Sequence, residues 1–529
     1  MHVSEGEVRQ DRQGGLYAHY VLFVLVIVFV FNFIDRNILA ILSQDIQADL
    51  GIGDAEMGFL YGTVFALFYA VFGIPLARFA DVWVRRSLIS AGLFFWSLMT
   101  ALSGFAHSFS SLAALRIGVG IGEASASPAA YSMLSDYYSP GVRATVLAIY
   151  SSGAYIGGGI GLFLGGFLLE TWTTWFPDRS TAPLKLAGWQ AAFLAVGLPG
   201  ILMALWVRTL REPKRGISEG LVAGEHPAPF SVLKTELVSM MPVINLFGLH
   251  RQGASLQANL VAAVIILIVA VLLAWLTDNI PQWAALGVGV YLSFCWAQSL
   301  KSRDPVTYHM IFGSRAMRYT MIAFPMISFV TYGIGFWTPA LMFRVHETNP
   351  AEVGTYLGLG GATGGLLGIT LGGIFADWSK TKHPAGRLIV GYLAVFGTVP
   401  LVLWMIYTDD LQTAFLLFFA QHLFSAAWPG IPPSTAADLV LPRMRAVAGA
   451  YYILINTMIG LALGPYFMGQ LSDIYASQGM DSAESLRLAM SSSMLVFVVT
   501  LIFLTLAWKH LPRDESSRLE RARSLGEKI

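Results

Sequence analysis

The chain is 529 residues long, 55% hydrophobic and only 12% charged, with a formal net charge of +1. Soluble domains carry about a quarter charged residues, so a string of such domains is excluded, and the near-balance of charge gives no reason to expect a nucleic-acid partner. A single cysteine, Cys295, excludes an intramolecular disulfide and a thiolate metal cluster. These bounds leave a polytopic membrane protein.

The first residues, Met1 to Gly15, are polar and of mixed charge, and no small-residue cleavage site follows the apolar run after Tyr20, so the first span is expected to be retained. About 20 apolar residues cross the hydrocarbon as a helix. On that measure six spans are predicted near residues 19–43, 55–78, 87–106, 111–134, 144–169 and 189–208, and six more near 318–343, 351–376, 386–407, 412–436, 446–470 and 489–510. The expected organisation is a segment 1–18, a six-helix bundle 19–208, a linker 209–317, a second bundle 318–510 and a tail 511–529. Within the linker, Leu260 to Leu276 is almost wholly aliphatic, and Trp283 to Trp296 follows a turn at Asp278, Asn279, Ile280 and Pro281. The segment from about 258 to 300 is predicted to be an extra transmembrane hairpin, with a pair of helices lying on the membrane surface as the alternative. The core is complete without it, so it is expected to be dispensable for transport.

The loop from Gln44 to Glu56 carries Asp45, Asp49, Asp54 and Glu56 and no base, whereas Arg78, Arg85, Arg86, Arg143, Arg208, Arg211, Lys380, Lys382, Arg387, Arg443 and Arg445 fall at the other end of the spans. By the positive-inside rule both termini are expected in the cytoplasm, for a bacterium at its inner membrane.

The two halves repeat each other. Phe79, Ala80, Asp81 returns as Phe375, Ala376, Asp377, and the loop Asp136, Pro140, Arg143, Ala144 returns as Asp438, Pro442, Arg445, Ala446. Such internal symmetry suits alternating access around a midplane site. Asp81 with Arg85 and Arg86, Asp136 with Arg143, and Asp377, Asp438 and Arg445 are therefore predicted gating residues. An aspartate at Asp81 is placed to accept from the amino terminus of a facing helix and hold that side shut.

Ionisable groups inside spans are costly and by default functional. Asp35 and Arg36 fall in the first span, Arg116 and Glu123 in the fourth. Arg116 and Glu123 are seven residues apart, on one helix face and about 10 Å apart along its axis. Counting about 1.5 Å per residue puts Asp35 and Arg116 at similar depth and Glu123 close to the midplane. Asp35 and Glu123 are the expected proton-coupling carboxylates, with Arg36 and Arg116 as charge partners or substrate contacts. Adjacent Asp35 and Arg36 point about 100 degrees apart, so both cannot face a cavity squarely. A buried salt-bridge network that merely holds helices together is the alternative. The second half offers His422, Asn456, Tyr332, Trp337, Tyr356, Phe424 and Trp428 as a polar and aromatic cavity lining, against ordinary packing. Glycines at 153, 157, 158, 159, 161, 165 and 166 permit close helix approach, and breaks are expected at Pro128 and at Pro429, Pro432 and Pro433.

Twelve core spans with these repeated corners resemble the major facilitator superfamily, which implies an all-α fold of two six-helix bundles related by pseudo-two-fold symmetry. More narrowly, FIDRNILA at residues 33–40, FFWSLMTALSG at 94–104 and RIGVGIGEAS at 116–125 resemble the spinster family of lipid transporters. That resemblance implies a proton-coupled carrier of an amphiphilic, lipid-like anion of the sphingolipid or lysophospholipid class, monomeric and without a cofactor, with coupling through Asp35 and Glu123. A first-span Asp-Arg and a fourth-span Gly-Glu-Ala also occur in symporters of sugar acids, so a small organic anion is the second substrate expectation. Histidines without ligand spacing and the lack of a Gly-x-x-x-x-Gly-Lys loop argue against an enzyme. A non-transporting receptor or scaffold is the remaining alternative.

Overall fold

A computed structural model describes residues 14–139, 141–219, 227–240, 244–251 and 253–527. Pro140 of the repeated loop, most of the amino-terminal segment and the last two residues of the tail lie outside them. The described chain is helical throughout. In the first half the core spans are Leu16–Ile41, Asp54–Val82, Arg85–Ser103, Phe109–Glu123 continued by Ala126–Tyr137, Arg143–Trp175 and Gly188–Arg208. In the second half they are Arg315–Val345, Pro350–Lys382, Ile389–Tyr407, Leu411–Ser425 continued by Ile431–Leu439, Arg445–Asn456 continued to Gly464–Ser477, and Ser482–Ser493 continued by Val496–Ser516. Ten described helices are long and apolar enough to cross a membrane.

The interruptions follow from local chemistry. The fourth span breaks directly after Glu123, where Ser125 turns its hydroxyl back onto the Gly122 carbonyl at 2.7 Å, and Pro128 sits in the first turn of the next piece, where a missing N–H costs nothing. The tenth breaks between Ser425 and Ile431, with Pro432 and Pro433 opening the following helix. The eleventh passes through a π-helical turn at Thr457–Leu461.

Glycine sets the helix spacings. A Cβ on Gly157 would lie 2.4 Å from the Val30 carbonyl, and one on Gly165 2.4 Å from Ile41, so one face of the fifth span lies backbone-close to the first. Its other face meets the eighth span across the two halves: a Cβ on Gly159 would lie 2.4 Å from the Gly358 carbonyl, and one on Gly166 2.0 Å from that of Pro350. The second and eleventh spans meet in the same way. Gly58 faces Pro465, Gly62 faces the Leu461 carbonyl, and Thr63 donates to the Ala462 carbonyl at 2.7 Å.

Between the halves, Leu256–Thr277 and Ile280–Arg303 form an antiparallel hairpin turned at Asp278, whose φ of 50° is left-handed. Only Asn259 of the first hairpin helix is buried, and its aliphatic side chains point outward. That inside-out pattern fits a hydrocarbon surround rather than water. Asn259 accepts from Tyr291 at 2.6 Å and donates to Gln298 at 2.8 Å, which ties the two helices together.

Replacing Gly358 with Leu should force the fifth and eighth spans apart. The expected result, in a Cys295→Ser background, is faster modification of a cysteine placed at Asn37 by an impermeant thiol reagent added on the side of Asp54. An unchanged rate would show that this glycine contact does not hold the two halves together.

Candidate functional site

The first, third and fourth spans enclose the charged residues. Asp35, Arg116 and Glu123 are each 1% exposed. Arg36 donates from Nε to Oε2 of Glu123 at 2.6 Å, and its guanidinium lies 4.5 Å from the ring centre of Phe65, 4.7 Å from that of Tyr69 and 4.9 Å from that of Phe33. Its side chain is 13% exposed while that of Glu123 is fully covered, so the guanidinium is the reachable partner of the pair. Phe65 and Tyr69 are four residues apart on one helix face and together hold the cation by ring quadrupole and contact.

Arg116 does not meet the Asp35 carboxylate. It donates from Nη1 to the Asp35 backbone carbonyl at 3.2 Å and lies 5.4 Å from the Phe65 ring. The Asp35 carboxylate faces Trp96 and Thr100 of the third span. Adjacent residues on the first span therefore look into different surroundings, as the helical offset requires. Both carboxylate oxygens of Asp35, with Asn32 Oδ1, Trp96 Nε1, Thr100 Oγ1, Arg116 Nε and Nη2 and Glu123 Oε1, are buried without a protein hydrogen-bond partner. Folded proteins leave few such atoms. Here they gather around two carboxylates and two guanidiniums, an arrangement able to take up protons, water or an anionic group.

From the other half, Tyr332 lies within electrostatic reach of Arg36, as Tyr155 of the fifth span and Tyr452 of the eleventh do of Tyr332. The structure thus brings Asp35, Arg36, Arg116, Glu123 and Tyr332 together. His422 stays on its own helix, near Gln421 and the Phe418 carbonyl, with its ring 4.2 Å from that of Phe418. Trp337 is fully buried and donates to the Pro465 carbonyl at 2.8 Å. Tyr356 is 43% exposed and stacks on Phe415. Phe424 packs over Gly397, Trp428 is buried against Phe324, and Asn456 holds a buried, unpartnered Oδ1 at the start of the π-helical turn.

The two ends of the molecule differ. At the end carrying the acidic loop the halves are bonded to each other. Arg344 reaches both carboxylate oxygens of Asp54, at 2.5 and 2.8 Å, and Ser472 donates to Asp54 at 2.6 Å. Asp473 accepts from the Asp54 and Ala55 amides at 3.1 and 2.8 Å, capping the second span from the opposite half, and Glu170 accepts from the Ala351 amide. At the basic end the bonds among the described residues stay within each half or run to the linker. Arg85, fully buried, binds Asp136 at 2.5 Å and Glu212 at 2.7 Å, and Arg387 binds Asp438 at 2.7 Å, the two arginine–aspartate pairs having the same 51-residue separation. Lys380 also meets Asp438, and Arg387 meets Asp377 at 3.1 Å. Arg86 donates to the Leu210 carbonyl, and Arg143 to the Ser135 carbonyl and Ser218. Asp81 and Arg445 are exposed and make no hydrogen bond or ion pair among the described residues. The neighbouring Arg443 instead bonds Asp304 at 2.7 Å and Glu527. Burial alone would raise the Asp304 carboxyl, but hydrogen bonds from Arg443 and Thr307 hold it at about 2.

The Major Facilitator Superfamily model matches residues 25–300, more than half of the chain. The chain belongs to that superfamily. It is therefore a membrane transporter and not an enzyme. The transporter is 25% identical to an MFS-type efflux pump of Mycolicibacterium smegmatis over 97% of both chains. It is 29% identical to a probable L-galactonate transporter of Escherichia coli over 33% of its own length and 35% of that protein's. Among solved structures, it resembles a bacterial homolog of the human lysosomal transporter spinster, in an inward-facing and occupied conformation, with 25% identity, a TM-score of 0.70 and coverage of 95% of this chain and 99% of that one.

Sequence reading did not single out Phe65 and Tyr69 around Arg36, nor Arg344 and Asp473 as partners of Asp54. The four-residue spacing of Phe65 and Tyr69 was a readable signal for a cation-holding face. The Asp54–Arg344 pairing had none, because it joins residues 290 positions apart.

Replacing Asp54 with Asn should loosen the acidic end, since it leaves Arg344 buried without its anion. Breaking a buried pair costs about 3–5 kcal/mol, and even about 2 kcal/mol of it would shift the balance between conformers about thirtyfold. Double electron–electron resonance between spin labels on the two halves should show a longer distance across this end. A distance distribution unchanged from the parent would remove Asp54 from the closing contact.

Proposed function

We propose that the transporter moves an amphiphilic, lipid-like anion across the bacterial inner membrane by alternating access, coupled to protons, with both termini in the cytoplasm. One observation carries this reading: a buried Arg36–Glu123 pair whose arginine is reachable, beside an Asp35 carboxylate that makes no ion pair among the described residues. With the basic end in the cytoplasm, the arrangement of cross-half bonds corresponds to an inward-facing state.

The coupling follows from competition for one guanidinium. While Glu123 is ionised it occupies Arg36. A proton on Glu123 removes the charge that holds the pair and frees Arg36 for an anionic head group, so proton binding and anion binding favour each other by the same free energy. Phe33, Phe65, Tyr69 and Tyr332 around Arg36 supply the apolar and aromatic wall against which an acyl chain would lie. Asp35 serves as the second proton site, with Arg116 keeping the first and fourth spans in register through the Asp35 carbonyl. The local likeness to an L-galactonate transporter favours a second reading, in which the same charges take a small organic anion.

Anion affinity should rise as pH falls, because protonation of Glu123 releases Arg36. The Glu123→Gln variant should bind with the low-pH affinity at every pH and lose its response to an imposed pH gradient, measured by uptake or efflux in proteoliposomes. A normal response to the gradient in that variant would reject Glu123 as the carrier.

Affinity should also rise with acyl length, each fully buried methylene adding about 0.8 kcal/mol, or about fourfold. Competition by a lysolipid series, corrected for partitioning into the bilayer, measures this. A flat length dependence with saturable uptake of a sugar acid would overturn the lipid reading in favour of the second one.

A further inference from the structure

The hairpin, expected to be a dispensable insertion, packs against both halves along their common seam. Its second helix runs along the second span from Ala55 to Val71 and along the eleventh from Tyr466 to Tyr451. Near the acidic end Trp283 meets Tyr466 of the eleventh span edge-on at 5.9 Å, in an apolar cluster shared with Ala55, Phe59 and Val64 of the second. At mid-height a Cβ on Gly289 would lie 2.7 Å from Leu67 of the second span and 2.9 Å from Met458 of the eleventh. Towards the basic end Trp296 stacks on Tyr451 of the eleventh at 6.3 Å, in register with a second cluster containing Leu67, Ala70, Leu454 and Met458. Each apolar cluster on this side thus draws residues from the first half, the second half and the hairpin.

Among the described residues the opposite seam has no such cover. Close contacts between the fifth and eighth spans run from Gly166 with Pro350 to Tyr155 with Gly365. Leu367, Leu371, Ile374 and Trp378 of the eighth span, on the face turned away from those contacts, are 48 to 64% exposed and present that span to the bilayer.

We propose that the hairpin seals the second–eleventh seam against the hydrocarbon. On the lipid-anion reading above, on which this last step rests, the seal keeps a membrane-dissolved substrate from reaching Arg36 through the second–eleventh side. A helix wedged over two spans that must tilt relative to each other keeps the crevice between them closed through apolar contacts, which slide at little cost because they have no preferred direction.

The test uses two bilayer-dissolved probes with a diazirine at mid-chain, a phosphatidylcholine and a lysophosphatidylcholine, photolysed with the full-length transporter in liposomes and mapped by peptide mass spectrometry. The phosphatidylcholine should label the eighth span around Leu371 and Ile374 at least tenfold more than the second and eleventh spans at Leu67 and Met458. Removal of residues 256–303 should bring labelling of Leu67 and Met458 up to the eighth-span level. Should the deletion fail to fold, Gly289→Leu, which wedges the helix away from Leu67 and Met458, should raise it severalfold. Strong labelling of Leu67 and Met458 in the intact chain, or no rise in either variant, would overturn the seal. If the phosphatidylcholine pattern holds but the lysolipid neither labels the interior nor competes for transport, the lipid reading falls and the seal stands.

Discussion

A guanidinium and a carboxylate enclosed at the depth of a bilayer's hydrocarbon impose the strictest demand on this fold. Neither Arg36 nor Glu123 is tolerable there alone, since an unpaired charge in a low-dielectric interior costs several kcal/mol. Their 2.6 Å contact needs the fourth span drawn in close among its neighbours, and its glycines permit that. A Cβ on Gly120 would lie 2.8 Å from the Phe65 carbonyl, and one on Gly122 2.8 Å from Trp96. The string RIGVGIGEAS thus serves two ends, with Arg116 and Glu123 carrying charge and its glycines admitting the second and third spans beside them. The helix break directly after Glu123 adds adaptability at the residue whose ionisation would matter most.

Charge is used differently at the two ends. The Arg85–Asp136 and Arg387–Asp438 pairs join elements of one half, so they cost nothing when the halves rock and serve to keep each bundle rigid. The Asp54, Arg344 and Asp473 contacts join the halves, and opening that end must break them. Because Asp473 caps the second span from across the interface, opening that end removes the partner of two helix-terminal amides as well as the anion of Arg344.

Much of this was legible in the sequence for definite reasons. The spans, the repeat and the four intramembrane charges follow from apolar length, from internal similarity and from the cost of burying charge, all of which are local properties. Asp136 and Asp438 were legible as repeat-related positions, since their spacing is identical, although Arg85 and Arg387 pair with them where Arg143 and Arg445 share their loops. Which arginine meets which carboxylate in the core was not legible. Depth counting matched Asp35 with Arg116, whereas rotation about the first span turns Arg36 towards Glu123 and leaves Arg116 the Asp35 carbonyl. The aromatic residues of the second half illustrate the same limit: Tyr332 reaches the charged site while Trp337, five residues further on, is consumed by the Pro465 carbonyl.

The hairpin changes how the two-halved architecture should be understood. In a repeat of two bundles the seams are equivalent by symmetry, and nothing distinguishes the second–eleventh side from the fifth–eighth. Here one seam is lined by glycines that bring backbones together only over part of its length, and the other is overlaid by a helix belonging to neither repeat. Trp283, Gly289 and Trp296 lie at successive heights on that helix, with a large, a small and a large side chain matched to the gap between the two spans. A linker kept only for its length would need no such match, whereas a helix that must stay seated over two spans needs bulky anchors at its ends and close approach in the middle.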